Sequence, residues 1–349
     1  MMSGETKIIN VVSGKGGTGK TLFCSILAEL LGNQDARVLV IDLDIYVRGL
    51  TTLLYFHKGE VLNIIDNNEL SVFDVLYRRN LNNKRDLGIR RYRSFDILPS
   101  VSRIDETLDL DNPTLDETKY FGETLDILLQ LIPKYKYDYI ILDCRAGYDV
   151  LVSRIHSLSN FTICIQEDDY ISDITANILI KQLERDNSQK PVFRIINKAR
   201  NMHSFDDYNN RQETSVYIGR IPFDMDIMNS FGESNFWDDI SKSLYKEILS
   251  NVWNKVAYKM QIEPKLNFYR RSPLMNKTIE KRLGIYTLQE RLLVVFGIMI
   301  SVMGFLYPLS GIHIKEVIEK NPESLFSYMI GFSGLLMLIL VYFKGKVKK

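Results

Sequence analysis

The chain has 349 residues with a formal net charge of +1, so no charge excess pulls it toward nucleic acid or acidic partners. A hydrophobic fraction of 46% and a charged fraction of 25% are ordinary for a globular protein, and the length allows one large α/β domain with an appendage or two modest domains. Three scattered cysteines, Cys24, Cys144 and Cys164, form no C-x-x-C pair. Neither a disulfide framework nor a zinc site is expected, and each reads as a small buried residue.

Met1 to Lys7 is polar and leads into only five strand-like residues, Ile8 to Val12. That run is too short for a secretory signal, so the main domain is expected to stay cytosolic. Apolar runs then predict strands at Lys7–Ser13, Arg37–Asp42, Phe95–Leu98, Tyr137–Asp143, Phe161–Ile165, Val192–Asn197 and Val216–Ile221. Most are continuous rather than alternating, as in a parallel sheet covered on both faces. Helical patterns between them include Lys20–Gly32, Glu117–Ile132, Ser172–Asp186 and Phe236–Met260. This alternation predicts an α/β, doubly wound, mostly parallel sheet over residues 1–262.

Composition changes after that. Residues 263–291 contain Pro264, Pro273 and a basic cluster, and read as a linker and juxtamembrane segment. Two uncharged apolar runs follow at 292–309 and 325–343, each near the ~20 residues a helix needs to cross a bilayer. Lys277, Lys281, Arg282 and Arg291 precede the first run, and Lys344, Lys346, Lys348 and Lys349 follow the second. The basic flanks predict a two-helix transmembrane hairpin in the inner membrane, both termini cytoplasmic, with 310–324 as a short loop on the far side and 344–349 as a cytoplasmic tail. Residues 78–93 carry a dense basic run, read as a solvated insertion with lipid contact as the next reading.

The sharpest local signal is Gly14-Lys15-Gly16-Gly17-Thr18-Gly19-Lys20-Thr21, placed after a strand and opening a helix. It satisfies G-x-x-x-x-G-K-[ST]. Glycines permit a tight loop whose backbone N–H groups surround phosphate oxygens, Lys20 reaches the β/γ-phosphates, and the Thr21 hydroxyl ligates Mg²⁺. The helix that follows turns its positive end to the same phosphates.

With the extra lysine at its start, this loop resembles the deviant Walker A motif of the ParA/MinD family of P-loop ATPases. Val38-Leu-Val-Ile-Asp42-Leu-Asp44 resembles that family's second strand with its D-x-D, and Ile45-Tyr-Val-Arg48-Gly-Leu resembles the MinD branch. Phe95-Asp-Ile-Leu-Pro99 and the Walker B-like Tyr139-Ile-Ile-Leu-Asp143 fall at the right distances. The resemblance implies ATP and Mg²⁺ as ligands, Lys15 reaching across a homodimer to the partner's nucleotide, and Asp44 orienting the attacking water. It implies Asp143 and Asp42 holding Mg²⁺ with Thr21. It further implies Gly147 sensing the γ-phosphate, Asn197 contacting adenine, and Ile218-Gly-Arg-Ile-Pro222 closing the base pocket with Pro222. One departure stands out: where the family usually has proline after Walker B, this chain has Cys144-Arg145-Ala146-Gly147.

The function these features predict is a membrane-anchored ATPase switch. ATP-dependent dimerisation and Mg²⁺-dependent hydrolysis, slow without a partner, would position or regulate an unidentified protein complex at the bilayer. Nucleic acid is neither indicated nor excluded. The alternatives are an ATP-binding adaptor with little turnover and a protein resembling bacterial tyrosine kinases. The latter place their spans before the P-loop and carry a tyrosine cluster that this tail lacks beyond Tyr342.

Overall fold

The computed structural model describes residues 5–78, 86–107, 117–133, 136–200, 215–263 and 266. The chain divides into a compact unit Met1–Tyr269 and a second unit Arg270–Lys349. Every described residue lies in the first.

In chain order this unit holds β1 (Lys7–Val12), α1 (Lys20–Gly32), β2 (Val38–Asp42), α2 (Gly49–His57), β3 (Glu69–Leu70), β4 (Asp86–Leu87), β5 (Arg90–Tyr92), β6 (Phe95–Leu98) and α3 (Glu117–Leu131). There follow β7 (Tyr139–Asp143), α4 (Val150–Leu158), β8 (Phe161–Glu167), α5 (Tyr170–Asp186), β9 (Val192–Ala199), β10 (Val216–Pro222), α6 (Met225–Ser230), α7 (Phe236–Lys242) and α8 (Tyr245–Met260). The main sheet has the order β10-β9-β8-β1-β7-β2-β6-β5, parallel throughout except for β5, which pairs antiparallel with β6 at the edge. The mostly parallel α/β sheet expected from the apolar runs is present.

All five residues of both β2 and β7 are buried, because helices cover the sheet on both faces. One core gathers α1, α7 and α8 through Phe23, Leu27, Phe236 and Trp253. The opposite core gathers α3, α4 and α5 through Leu128, Ile155 and Leu179. Helices enter from strand ends through aspartate caps: Asp149 accepts from Val152 N at 2.7 Å, and Asp169 accepts from Ser172 N at 2.8 Å. Such caps satisfy amides that have no partner within the helix. The second cap starts α5 two residues earlier than the apolar pattern suggested.

The single helix expected over Phe236–Met260 is two. Ser243 adopts an extended backbone, its Oγ donates to Asp224 at 2.6 Å, and the same oxygen accepts from Tyr245 N at 2.9 Å. A long-range contact therefore breaks a helix that the local pattern would have continued.

No helix among the described residues is long and apolar enough to cross a membrane. The multi-pass inner-membrane placement is corrected accordingly. A spanning helix needs about 20 apolar residues in one continuous run, and no described helix supplies them. The runs at 292–309 and 325–343, their connecting loop, the tail and nearly all of the 263–291 linker lie outside the described residues.

The basic run is also less exposed in charge than its composition suggested. Arg90 pairs with Glu69 at 2.8 Å, Arg91 with Asp96 at 3.1 Å, and Arg93 with Glu29 at 3.0 Å while lying 4.8 Å over the Trp237 ring. Residues 79–85 of that run lie outside the described residues.

Candidate nucleotide site

The strands β1, β7 and β2 end side by side, and the loops that leave them converge. Residues Ser13 to Gly19 turn between β1 and α1 with Gly17 at φ +78° and Gly19 at φ +89°, a backbone region that side chains enter only with strain. Gly16 and Gly17 face open space, whereas a Cβ on Gly14 would lie 2.3 Å from the Thr175 carbonyl carbon of α5. Glycine at 14 thus lets the loop lie against a helix, and glycine at 16 and 17 leaves its mouth unobstructed.

Two side chains brace this loop. The Asn197 Nδ2 donates to the Thr18 carbonyl at 2.8 Å, and its Oδ1 accepts from the Tyr245 hydroxyl at 3.1 Å. Lys20 is buried and donates to Ser13 Oγ at 2.9 Å, while that hydroxyl donates to the Lys15 carbonyl at 2.7 Å. Asn197, read as a base contact, here ties β9 to the phosphate loop. Pro222 closes β10, and Phe223 N donates to Ala199 O at 3.1 Å just beyond it.

Asp42 and Asp143 are register partners on adjacent parallel strands. Thr51 donates to Asp42 Oδ2 through its amide at 2.9 Å and its hydroxyl at 2.7 Å. Asp42 Oδ1 and both oxygens of Asp143 are buried without a hydrogen-bond partner. Burial, then the neighbouring Asp143, pushes the Asp42 carboxyl up to about 7. Burial likewise pushes Asp143 up to about 6, against the pull of Lys20. Three buried carboxylate oxygens without a full hydrogen bond, with only Lys20, Thr21 and Cys24 near Asp143 to offset its charge, are costly unless a cation joins them. Among the described residues no group of three or more His, Cys, Asp or Glu could hold a metal alone. One or two carboxylates plus a hydroxyl, completed by phosphates and water, suit Mg²⁺.

Asp44 lies two residues beyond Asp42, its Oδ1 accepting from Val47 N at 3.1 Å. Gly147, at φ +88°, donates its amide to Ser13 O at 2.8 Å and so hooks the loop after β7 to the start of the phosphate loop.

Lys15 does not point into open solvent. Its Nζ pairs with Glu167 at 2.7 Å and Asp169 at 2.8 Å, both at the β8–α5 turn. Glu167 also takes Lys198 at 2.8 Å, and Lys198 donates to the Gly17 carbonyl. Burial works against the Glu167 charge, but the bonds from Lys15 and Lys198 hold its carboxyl below the usual range. The bond to Asp169, then that to Glu167, raises Lys15 above its ordinary value. Sequence reading missed Ser13, Thr51, Glu167, Asp169, Lys198 and Tyr245. The signal available for Glu167 and Asp169 was their position at the carboxyl end of a parallel strand, where ligands of such sheets bind.

A glycine-lined loop between a strand and a buried helix, with a lysine inside it and two buried carboxylates on the next strands, defines a nucleoside-triphosphate site of the P-loop class. The chain belongs to the AAA_31 family (AAA domain), whose pattern matches residues 6–204. It is similar to the septum site-determining protein MinD of Bacillus subtilis (strain 168), 25% identical over 195 residues that make up 55% of this chain and 65% of that protein. The chain spans about half the length of the curated relatives it matches. Its fold is that of the ParA and MinD ATPases. A plasmid partition protein from Borrelia burgdorferi superposes with a TM-score of 0.51 at 20% identity, covering 73% of this chain and 100% of the other. The septum site-determining protein MinD from Pyrococcus horikoshii OT3, complexed with Mg-ADP, superposes with a TM-score of 0.51 at 21% identity, covering 72% and 96%.

Proposed function

We propose that this chain is an ATP-binding and ATP-hydrolysing switch of the MinD/ParA kind that dimerises around nucleotide and regulates a protein partner. The observation that carries the reading is the buried pair Asp42–Asp143, with oxygens lacking donors, beside a phosphate loop whose Lys20 is held ready by Ser13. Backbone amides of residues 14–19 and the N-terminus of α1 bind the phosphates, and Lys20 neutralises the β- and γ-oxygens. Thr21, Asp143 and Asp42 would hold Mg²⁺, which when bound spreads the charge of the β- and γ-phosphates. Asp44 orients the attacking water, and Gly147 donates its amide to the γ-phosphate once it lets go of Ser13. Asn197 and Pro222 border the base.

Lys15 acts last in this scheme. It leaves Glu167 and Asp169 for the nucleotide of a second subunit, so hydrolysis is slow until dimer and partner are in place. The activity belongs to positioning and charge rather than covalent chemistry.

The test uses the full-length protein with Mg²⁺ and radiolabelled ATP. Wild type retains ATP and releases phosphate slowly. Lys20→Ala abolishes retention, Asp44→Ala retains ATP without turnover, and Lys15→Ala binds as a monomer in sedimentation. Failure of wild type to retain ATP would overturn the proposal.

A further inference from the structure

We infer that Arg145 is a positioning residue for the hydrolysis proposed above, clasping the loop that carries Asp44 to the loop that carries Gly147. The inference rests on that functional reading for its effect on rate, but the clasp is a property of the protein without nucleotide.

Residues 44–48 are held at their two ends. Arg48, at φ +57°, fixes the far end: its guanidinium donates to Ile45 O at 2.9 Å, Ile104 O at 2.8 Å and Glu106 O at 2.6 Å. The near end is the strand itself. Between them the tip stands out, with Tyr46 53% and Val47 72% exposed. Asp44 depends on that tip, because the Val47 amide at 3.1 Å occupies its Oδ1. Where the tip goes, the Asp44 carboxylate follows.

Arg145 reaches the tip from the opposite loop. It stands two residues after Asp143 and two before Gly147. Its Nε donates to Asp149, and its guanidinium carbon lies 6.0 Å from the centre of the Tyr46 ring. Asp149 in turn caps α4 through Val152 N at 2.7 Å. A line of contacts therefore runs from the α4 N-terminus through Asp149 and Arg145 to Tyr46 and so to Asp44. A planar guanidinium can hold a carboxylate with its edge while its face lies against a ring, which an ammonium cannot do at once. An arginine that merely paired with Asp149 four residues on would sit on the helix side of its loop and would share nothing with Tyr46.

Hydrogen exchange and kinetics on the full-length chain test this. In nucleotide-free protein, Arg145→Ala and Tyr46→Leu each speed amide exchange over residues 43–48, and the double variant goes no faster than the faster single. In turnover, each single variant lowers kcat about fivefold with KM for ATP within about twofold. Tyr46→Phe keeps the wild-type behaviour in both measurements, because the ring face and not the hydroxyl makes the contact. Unchanged exchange at 43–48 in Arg145→Ala, or losses that multiply in the double variant, would overturn the clasp. Should wild type neither bind nor hydrolyse ATP, the functional proposal fails while exchange still decides the clasp.

Discussion

Replacing Asp42 with asparagine should stabilise the metal-free protein at neutral to alkaline pH while spoiling its use of Mg²⁺. Asp42 is 0% exposed and stands in register with Asp143. An asparagine oxygen can still accept both Thr51 bonds, and the neutral amide removes the like-charge repulsion between positions 42 and 143. The sign follows from the raised carboxyl. A group lifted from 3.8 to about 7 favours the folded state at low pH, and that stability is lost as pH rises from about 4 through about 7. Roughly three pH units at ~1.4 kcal/mol each set a ceiling on the order of 4 kcal/mol for the penalty above pH 7.

The assay is urea denaturation of full-length wild type and Asp42→Asn in chelator, from about pH 8 down to about pH 4.5. Asp42→Asn gains on the order of 2–4 kcal/mol at the upper end, and the gain shrinks steadily toward the lower end. With Mg²⁺ and ATP the order reverses, since ligand that binds only the folded wild type adds stability by mass action. A variant no more stable than wild type at about pH 8, or a gain that does not change with pH, would refute the reasoning.

Two further expectations concern the neighbouring loops. Gly14→Ala forces the phosphate loop away from the Thr175 backbone, 2.3 Å from the added carbon, and should cost about 1–3 kcal/mol in urea denaturation while raising KM for ATP. Glu167→Gln weakens the hold on Lys15 and Lys198. ATP-dependent dimerisation should then occur at roughly several-fold lower protein concentration in sedimentation, because less of the Lys15 pairing must be undone first.

What was legible in the sequence was whatever local chemistry dictates. The runs that became β2 and β7 are buried on both faces and read as strands without ambiguity, and the glycines, Lys20 and Thr21 carry their spacing on their face. Asp42 and Asp143 were visible as strand-terminal carboxylates, though nothing local showed that register would set them side by side. The rest depends on distant partners. Ser243 breaks a helix because of Asp224, 19 residues earlier. Lys15 is held by carboxylates more than 150 residues away. The short β3, β4 and β5 have too few residues to show a period. The membrane placement rested on the runs at 292–309 and 325–343, which lie outside the described residues, and no described helix is long and apolar enough to cross a bilayer.

The β8–α5 turn gives the phosphate cradle an unusual starting condition. With Glu167 and Asp169 already neutralising Lys15 and Lys198, the mouth of the loop carries little spare positive charge. Under the proposed scheme the transfer of Lys15 to a second subunit's nucleotide is therefore a counterion exchange rather than a capture by a bare magnet: that nucleotide would gain a lysine that Glu167 and Asp169 surrender. The net energy is the difference between two ion pairings, which blunts long-range attraction and leaves Lys20, the one lysine of the loop with no carboxylate bond, to make the first strong contact.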